Sequence, residues 1–333
     1  MKKFLVIQTA FLGDVILATP IIEKLHRFFP EAQIDVLVRR GNEGLLENNP
    51  KVNRLWVWDK KRAKYKNLRM LIKAFRRENY DHLINLQRFG ASGMMTAFSG
   101  AKEKIGFRKN PFSFTFDKIF DHEIGVQGDE NPIHETERNL QLVEHLTDGT
   151  SERPKLYPSE PDFSAVSKFV DEPFVTIAPT SVWFTKQWPP EKWVELLERL
   201  QSFKVYLLGA PGDFDACKSI AERSRHSKIQ NLAGKLSLLQ SAALMSRAEM
   251  NYVNDSAPMH MSSAMNAPVT AIYCSTIPEF GFGPLSDVSH VVEIKGDLSC
   301  RPCGLHGYKA CPKGHFKCAK DIVTKEIPLP KES

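Results

Sequence analysis

The residues best suited to chemistry in this chain stand at three turns, each placed between an apolar strand-like run and a helix-like one. The segment Asn254-Asp255-Ser256-Ala257-Pro258-Met259-His260 brings a carboxylate, a hydroxyl and an imidazole together. The run 248–253 before it reads as a short strand and His260 to Met265 as a helix, with the apolar run Val269 to Tyr273 beyond. Such a turn presents a carboxylate, a hydroxyl and free backbone N–H groups at a helix N-terminus, which suits the hydroxyls and phosphates of a sugar nucleotide. The competing assignment makes Asp255 or Ser256 a simple helix cap. Gly13-Asp14 follows the first strand in the same way. Asp14 is either a cap or a general base that takes a proton from an acceptor hydroxyl as that oxygen attacks a sugar. The third turn runs from Pro179 to Pro189 and carries Thr180, Ser181, Thr185 and Lys186. Three hydroxyls and one ammonium make a diphosphate clamp, with Lys186 neutralising the leaving group at about 1.5–3 kcal/mol per charge-assisted contact. The alternative assigns Trp183, Phe184 and Trp188 to packing and Lys186 to the surface.

Elements of two kinds have to hold these turns. Strands are expected at Phe4–Gln8, Ile34–Val38, Arg54–Val57 and His82–Asn85, separated by sequence long enough for helical crossovers. Pro20 implies that regular winding of the first helix begins near it rather than at Val15. After a Pro-containing stretch the alternation restarts. Strands at Phe174–Ala178 and Lys204–Gly209 are followed by helices at Glu191–Leu200, Phe214–Ser224 and Leu236–Arg247. The predicted class is α/β with parallel sheets. A first domain spans 1–155, a linker 156–172 with a short helix near Ala165–Val170, and a second domain 173–318. A tail, 319–333, packs back on the first domain. Gly209-Ala210-Pro211-Gly212-Asp213 ends a strand of the second domain, where the glycines allow close backbone approach and Asp213 can accept from ribose hydroxyls. Neither G-x-G-x-x-G nor G-x-x-x-x-G-K-[ST] occurs at these turns, which argues against a conventional dehydrogenase and a P-loop NTPase.

The bulk composition is that of an ordinary soluble protein. The 333 residues are 42% hydrophobic and 25% charged, enough for two domains with full cores, and no run has the unbroken apolar length of a membrane span. The N-terminal apolar run is too short for a signal peptide, so a cytoplasmic location is expected. The net charge of +6 is unevenly spread. Lys60, Lys61, Arg62, Lys64, Lys66, Arg69, Lys73, Arg76 and Arg77 occur with no acid among them, above an apolar face made by Leu68, Leu71, Ile72 and Phe75. That stretch is either a solvated helix surface or a platform for an anionic partner such as a phosphorylated glycolipid at a membrane. No nucleic-acid-binding module accompanies it.

Four of the six cysteines cluster as Cys300-x2-Cys303-x7-Cys311-x6-Cys318, with His306 and His315 in the same stretch. In a cytoplasmic protein this quartet is a candidate structural zinc site, and reduced thiols in a closing loop are the alternative. Cys217 and Cys274 read as core residues.

Taken together these motifs resemble the ADP-heptose glycosyltransferases that build the lipopolysaccharide inner core, glycosyltransferase family 9. The resemblance runs over most of the chain. It is carried by Gly13 to Pro20, Thr185-Lys186-Gln187-Trp188-Pro189, Gly209 to Asp213, Asn231-Leu232-Ala233-Gly234-Lys235, Asn254 to His260, and the ending Cys300-Arg301-Pro302-Cys303 with Cys311 to His315. It implies a GT-B architecture of two Rossmann-like domains and inverting, metal-independent transfer to a lipid A-linked acceptor. Asp14 is then the general base, and Lys186 with Thr180 and Ser181 binds the diphosphate. Asp255, Ser256, Ala257 and His260 line the donor pocket, Asp213 approaches the nucleoside, and the cations Lys60, Lys61, Arg62, Lys64 and Arg69 face acceptor or membrane. It further implies a cytoplasmic enzyme at the inner membrane, with no catalytic cofactor. Thr180 and Ala257 stand where many members have Gly, which leaves room for a different nucleotide sugar. A non-catalytic nucleotide-sugar-binding protein and a zinc-dependent module are the readings from other classes.

Overall fold

The computed structural model describes residues 1–330, and these form two units. The first comprises Met1–Ile124 and Ile133–Tyr157; the second takes Gly125–Pro132 and the chain from Pro158 onward. The sheet of the first unit contains β1 (Lys3–Ile7), β2 (Gln33–Arg39), β3 (Arg54–Trp58), β4 (His82–Asn85), β5 (Glu103–Phe107) and β6 (Lys118–Phe120). Its helices are α1 (Leu12–Phe28), α2 (Lys64–Glu78), α3 (Gly90–Ala97) and α4 (Glu135–Gln141). The second unit holds α5 (Glu160–Val166), β7 (Phe174–Ala178), α6 (Pro190–Leu197), β8 (Lys204–Leu207), α7 (Phe214–Arg223) and β9 (Ile229–Asn231). It continues through α8 (Leu238–Met245), β10 (Met250–Asn254), α9 (Ala257–Ala264), β11 (Val269–Tyr273), β12 (Ser289–Glu293) and α10 (Lys317–Lys320).

Every strand pairing is parallel. The orders are β3-β2-β1-β4-β5-β6 and β12-β11-β10-β7-β8-β9. Both are doubly wound arrangements in which the chain reverses direction beside the first strand of its unit. Central strands covered on both faces read as unbroken apolar runs. Phe4, Leu5, Val6 and Ile7 of β1 are all fully buried, as are the five residues of β11. Where β7 and β10 bury polar groups, they pair them: the Thr176 hydroxyl donates to Asn251 Oδ1 (2.5 Å), and Asn251 Nδ2 donates to the Met245 carbonyl (3.0 Å). The core of the second unit centres on Trp188 and Trp193, which meet edge to face at 5.0 Å between ring centroids.

Most strand positions agree with the expectations to within a residue or two. Three differences have physical causes. Winding of α1 starts at Leu12, well ahead of Pro20, which sits inside the helix. Pro20 has no N–H for the Ile16 carbonyl, and the Thr19 hydroxyl donates to that carbonyl instead at 2.7 Å. The segment 156–172 is not a free linker, because α5 lies within it and packs on α8 of the second unit. The tail is grouped with the second unit as well. Trp188 Nε1 donates to the Ala319 carbonyl (3.1 Å), Tyr252 donates to the Pro328 carbonyl (2.9 Å), and Ala319, Ile322 and Ile327 enter the tryptophan core. Residues 331–333 of that tail lie outside the described residues.

The Thr19 hydroxyl also accepts from the Lys155 backbone N–H at 2.9 Å, inside the first unit. Thr19→Val therefore leaves the buried Ile16 carbonyl and the Lys155 N–H without their shared partner. Denaturant unfolding should show a loss of about 2–4 kcal/mol, with Thr19→Ser within about 1 kcal/mol of the parent.

Candidate functional site

In a doubly wound sheet the two loops flanking the reversal diverge, leaving a crevice at the carboxyl ends of the central strands. The first unit's reversal lies between β1 and β4. Asp14 sits in the first turn of α1, directly after β1, and its carboxylate accepts from the Phe11 N–H at 3.1 Å. It thus caps its own helix with one oxygen, but that is not its whole environment. Burial, reinforced by the negative charge of Glu135, pushes its carboxyl up to about 6 against the opposing pull of the backbone N–H groups and Arg39. Glu135 opens α4 and is buried. Burial pushes its own carboxyl up, but the hydrogen bond from His122 Nε2 (3.0 Å) and the charges of His122 and Arg138 outweigh that and hold it below the ordinary range. Arg138, almost wholly buried, donates from Nε to Glu135 at 2.8 Å.

Two cations complete this crevice. Arg39 at the end of β2 lies over the Phe11 ring at 4.7 Å, its pKa lowered by burial against the attraction of Asp14. Lys60 belongs in sequence to the outer basic surface, but its ammonium turns inward. It donates to the Thr9 carbonyl at 2.6 Å and lies over the Trp58 ring at 5.0 Å. Burial, then the charges of Arg39 and Lys64, push it down to about 8. Lys61, Arg62, Lys64 and Arg69 are exposed. Gln8 and Gln87, at the ends of β1 and β4, are buried and bonded to each other across the reversal.

The second unit repeats this arrangement with different groups. Its reversal lies between β7 and β10. Trp188 N–H donates to Asn254 Oδ1 at 2.9 Å and Gln187 Nε2 to the Ser181 carbonyl at 2.7 Å, folding the loop after β7 onto the end of β10. Lys186 and Asp255 form an ion pair at 2.6 Å, with Asp255 buried. The Thr276 hydroxyl donates to the same Asp255 Oδ2 at 2.6 Å. Asp255 is therefore not a cap; Ser256 holds the N-cap position of α9 without a side-chain capping bond, and the helix starts at Ala257, with Pro258 in its first turn, earlier than His260. Thr180, Ser181, Ser256 and Ala257 are half-buried along these loops, and His260 is buried on α9. Thr185 is set apart from the other hydroxyls of its loop. It is buried, and its Oγ1 accepts from the Tyr308 N–H (2.7 Å) and the Ser275 hydroxyl (3.0 Å), so the fold uses it as a strut. Asp213 accepts from the Ala210 N–H at 2.7 Å beside Gly209. A side chain at Gly234, whose φ is +73°, would come within 2.7 Å of Pro211 Cα, which explains the glycine there.

The cysteine stretch lies against this loop. Cys303 N–H donates to the Ser275 carbonyl at 2.8 Å, and Arg301 donates to the carbonyls of Cys274 (2.9 Å) and Thr276 (2.7 Å). The zinc expectation for Cys300, Cys303, Cys311 and Cys318 is not met: among the described residues no three His, Cys, Asp or Glu side chains are grouped to hold a metal ion. Cys318 is packed into the tryptophan core, where burial pushes its thiol up to about 12. Cys217 and Cys274 are buried, as expected of core residues.

Arg39, Glu135, Arg138, His122 and Thr276 escape a reading of the sequence. Glu135 and Arg138 carry a local signal, an acid and a base three apart, but nothing in the sequence ties them to Asp14 more than a hundred residues earlier. Two outcomes follow from the geometry. In a carboxyl-labelled NMR titration, Asp14 should titrate near 6, and Glu135→Gln should move it toward the ordinary range; an unmoved titration would show that Glu135 exerts no field there. Gly307, at φ +77°, lets its loop approach Thr185 and Lys186, where a Cβ would fall 2.9 Å from Thr185 Oγ1. Gly307→Ala should lower the melting temperature in scanning calorimetry.

The glycosyltransferase family 9 (heptosyltransferase) profile matches residues 68–308. Lipopolysaccharide heptosyltransferase 3 of Escherichia coli K12 is 31% identical over 283 residues, covering 79% of this chain and 80% of that protein. Among solved structures, a family 9 glycosyl transferase from Veillonella parvula superposes with a TM-score of 0.77 at 24% identity, covering 87% of this chain and 85% of the other. E. coli ADP-heptose lps heptosyltransferase II does so with a TM-score of 0.73 at 24% identity, covering 95% and 97%. Two doubly wound parallel sheets, each with its polar side chains gathered at the strand reversal, agree with the GT-B fold of these neighbours. The chain is a member of glycosyltransferase family 9, a glycosyltransferase enzyme.

Proposed function

We propose that this enzyme transfers heptose from ADP-heptose to a lipopolysaccharide inner-core acceptor, with inversion. The observation that carries the mechanism is the Asp14 carboxyl, held up to about 6 at the carboxyl end of β1. A base with that pKa is ionised at neutral pH yet accepts a proton more readily than an ordinary aspartate. In the proposed displacement the acceptor hydroxyl oxygen bonds to the anomeric carbon and its proton passes to Asp14. The bond from that carbon to the diphosphate breaks, and ADP leaves with the electron pair. Lys186 carries positive charge to the diphosphate, with Thr180 and Ser181 donating to it, so this route calls on no metal ion. The bonds from Lys186 and Thr276 both fall on Asp255 Oδ2, which leaves Oδ1 for a sugar hydroxyl. Ser256, Ala257 and His260 line the donor pocket, and Asp213 serves the nucleoside. Lys60 and Arg39 suit an anionic group on the acceptor, since both are partly desolvated cations that feel each other's charge, and Arg39 lies in the field of Asp14.

The heptose and lipopolysaccharide assignment is supported by what the similar proteins are named for. A cytoplasmic enzyme working at the inner membrane fits a lipid-linked acceptor and the exposed cations Lys61, Arg62, Lys64 and Arg69.

Calorimetric titration with ADP-heptose, ADP, UDP-glucose and GDP-mannose in EDTA tests the donor. Selective binding of ADP-heptose is expected; preference for another nucleotide sugar would move the enzyme out of heptose transfer. Asp14→Asn should reduce turnover by about 10²–10⁴ with donor affinity unchanged. Because the fold raises this carboxyl's pKa, ionised Asp14 costs stability, and that cost grows as pH rises from the unfolded value through about 6. At pH 7 the Asn variant should therefore melt no lower than the parent, separating lost chemistry from lost folding. In the parent, kcat/KM should fall on acidification with an apparent pKa near 6.

A further inference from the structure

The first unit carries an exposed apolar ridge that the transfer chemistry does not use. Phe89 precedes α3, Met94 lies on it and Phe98 follows it, a four-residue spacing that puts the last two on one helical face. All three are exposed, Phe89 at 54% and Phe98 at 47%. The loop between β5 and β6 lies against this helix. A Cβ at Gly93 would meet Phe112 Cβ at 2.9 Å, so glycine is what allows the approach. Phe112 in turn stacks on Phe114, with ring centroids 6.2 Å apart, and Phe114 is 79% exposed. The ridge is thus built from two segments and held in place from below.

Cations flank it. Arg76 of α2 donates from Nε to the Phe98 carbonyl at 2.8 Å, which fixes the basic helix beside the ridge. Arg69, Lys73, Arg76 and Arg77 are exposed along that helix, and no acid occurs between Lys60 and Arg77. Arg88 lies over the Phe89 ring at 5.6 Å, and Lys109 is exposed at the start of the aromatic loop. Exposed aromatic rings edged by cations are the pattern of a surface that lies in the boundary of an anionic bilayer, where rings enter the headgroup region and cations meet phosphates. We propose that Phe89, Met94, Phe98, Phe112 and Phe114 form a wedge that inserts into an anionic lipid surface, with the exposed cations of α2 as its electrostatic collar. This rests on the lipid-linked acceptor reading for its purpose, while its evidence is the surface itself. It goes beyond charge attraction: a collar alone gives binding that salt abolishes, whereas a wedge adds a part that salt leaves in place.

Flotation of the full chain with vesicles of phosphatidylethanolamine and phosphatidylglycerol, at about 0.1 and about 0.5 M salt, tests this. Phe98→Ser with Phe114→Ser should lower partitioning at least about tenfold at both salt concentrations. Arg69→Glu with Lys73→Glu and Arg77→Glu should lower it by roughly fivefold or more per cation at the lower salt and little at the higher. Both ring positions are exposed, so the melting temperature should hold. Turnover on a lipid-free, water-soluble acceptor should also be that of the parent. Undiminished flotation of the Phe double variant overturns the wedge, as does failure of the parent to float. A parent that self-associates in sedimentation through the same two rings, with flotation unaffected, would make the ridge a contact between copies instead. If no donor or acceptor is turned over while the Phe-dependent flotation stands, the heptose-transfer reading fails and the membrane surface survives.

Discussion

Parallel strands cannot be joined by a tight turn; each must be reached by a crossover on one face of the sheet. A chain that starts at the centre, builds outward on one side and then returns to build on the other leaves two adjacent central strands whose following loops part in opposite directions. That constraint operates twice here, beside β1 and beside β7. It leaves polar backbone and polar side chains at the carboxyl ends of largely apolar strands. Asp14, Gln8 and Gln87 in one unit, and Lys186, Asn254 and Asp255 in the other, lie within reach of those ends, where the diverging loops leave room for them.

The charges gathered there are partly withdrawn from water, and the fold meets that cost by pairing. An isolated buried carboxylate would neutralise itself by a pKa shift; a paired one stays charged. Glu135 stays charged because His122 and Arg138 both bond it. Asp255 has Lys186 and Thr276. Asp14 is the exception, with backbone N–H groups and the field of Arg39 as compensation and a negative neighbour working against it. The group left under-compensated is the one proposed above as the base, and a structural carboxylate in that position gains nothing from the arrangement.

The fold class, most strands and the turns of interest are legible in the sequence, because apolar runs of strand length punctuated by Gly, Pro and Asp are local signals. Short edge strands such as β6 and β9 and the partly exposed β12 lack such runs, and nothing in their residues announces them. The inward turn of Lys60 is illegible for a different reason. Its neighbours in sequence are solvated cations, and only the carbonyl of Thr9, from another strand's end, distinguishes it. Thr185 shows the converse: a hydroxyl in a phosphate-like loop whose partners, Tyr308 and Ser275, arrive from far along the chain. The cysteine quartet has metal-like spacing, yet Cys318 is taken up by core packing with Ala319 and Ile322, a demand that spacing does not reveal.

In the proposed mechanism, the opposed influences on Asp14 set a narrow working point. A stronger base accepts the acceptor's proton more readily, but a base whose pKa rises above the working pH is already protonated and useless. At about 6, roughly nine-tenths of the carboxyl is ionised at pH 7. Burial and Glu135 push toward higher basicity; Arg39 and the helix-start N–H groups of Phe11 and Asp14 hold the value down. The restraining groups lie on β2 and on α1 itself, whereas Glu135 comes from α4, so basicity is a property of how the helices pack around the end of β1. A substitution on α4 therefore changes the field in which Asp14 titrates, and under the proposed mechanism it alters the chemistry without touching either substrate.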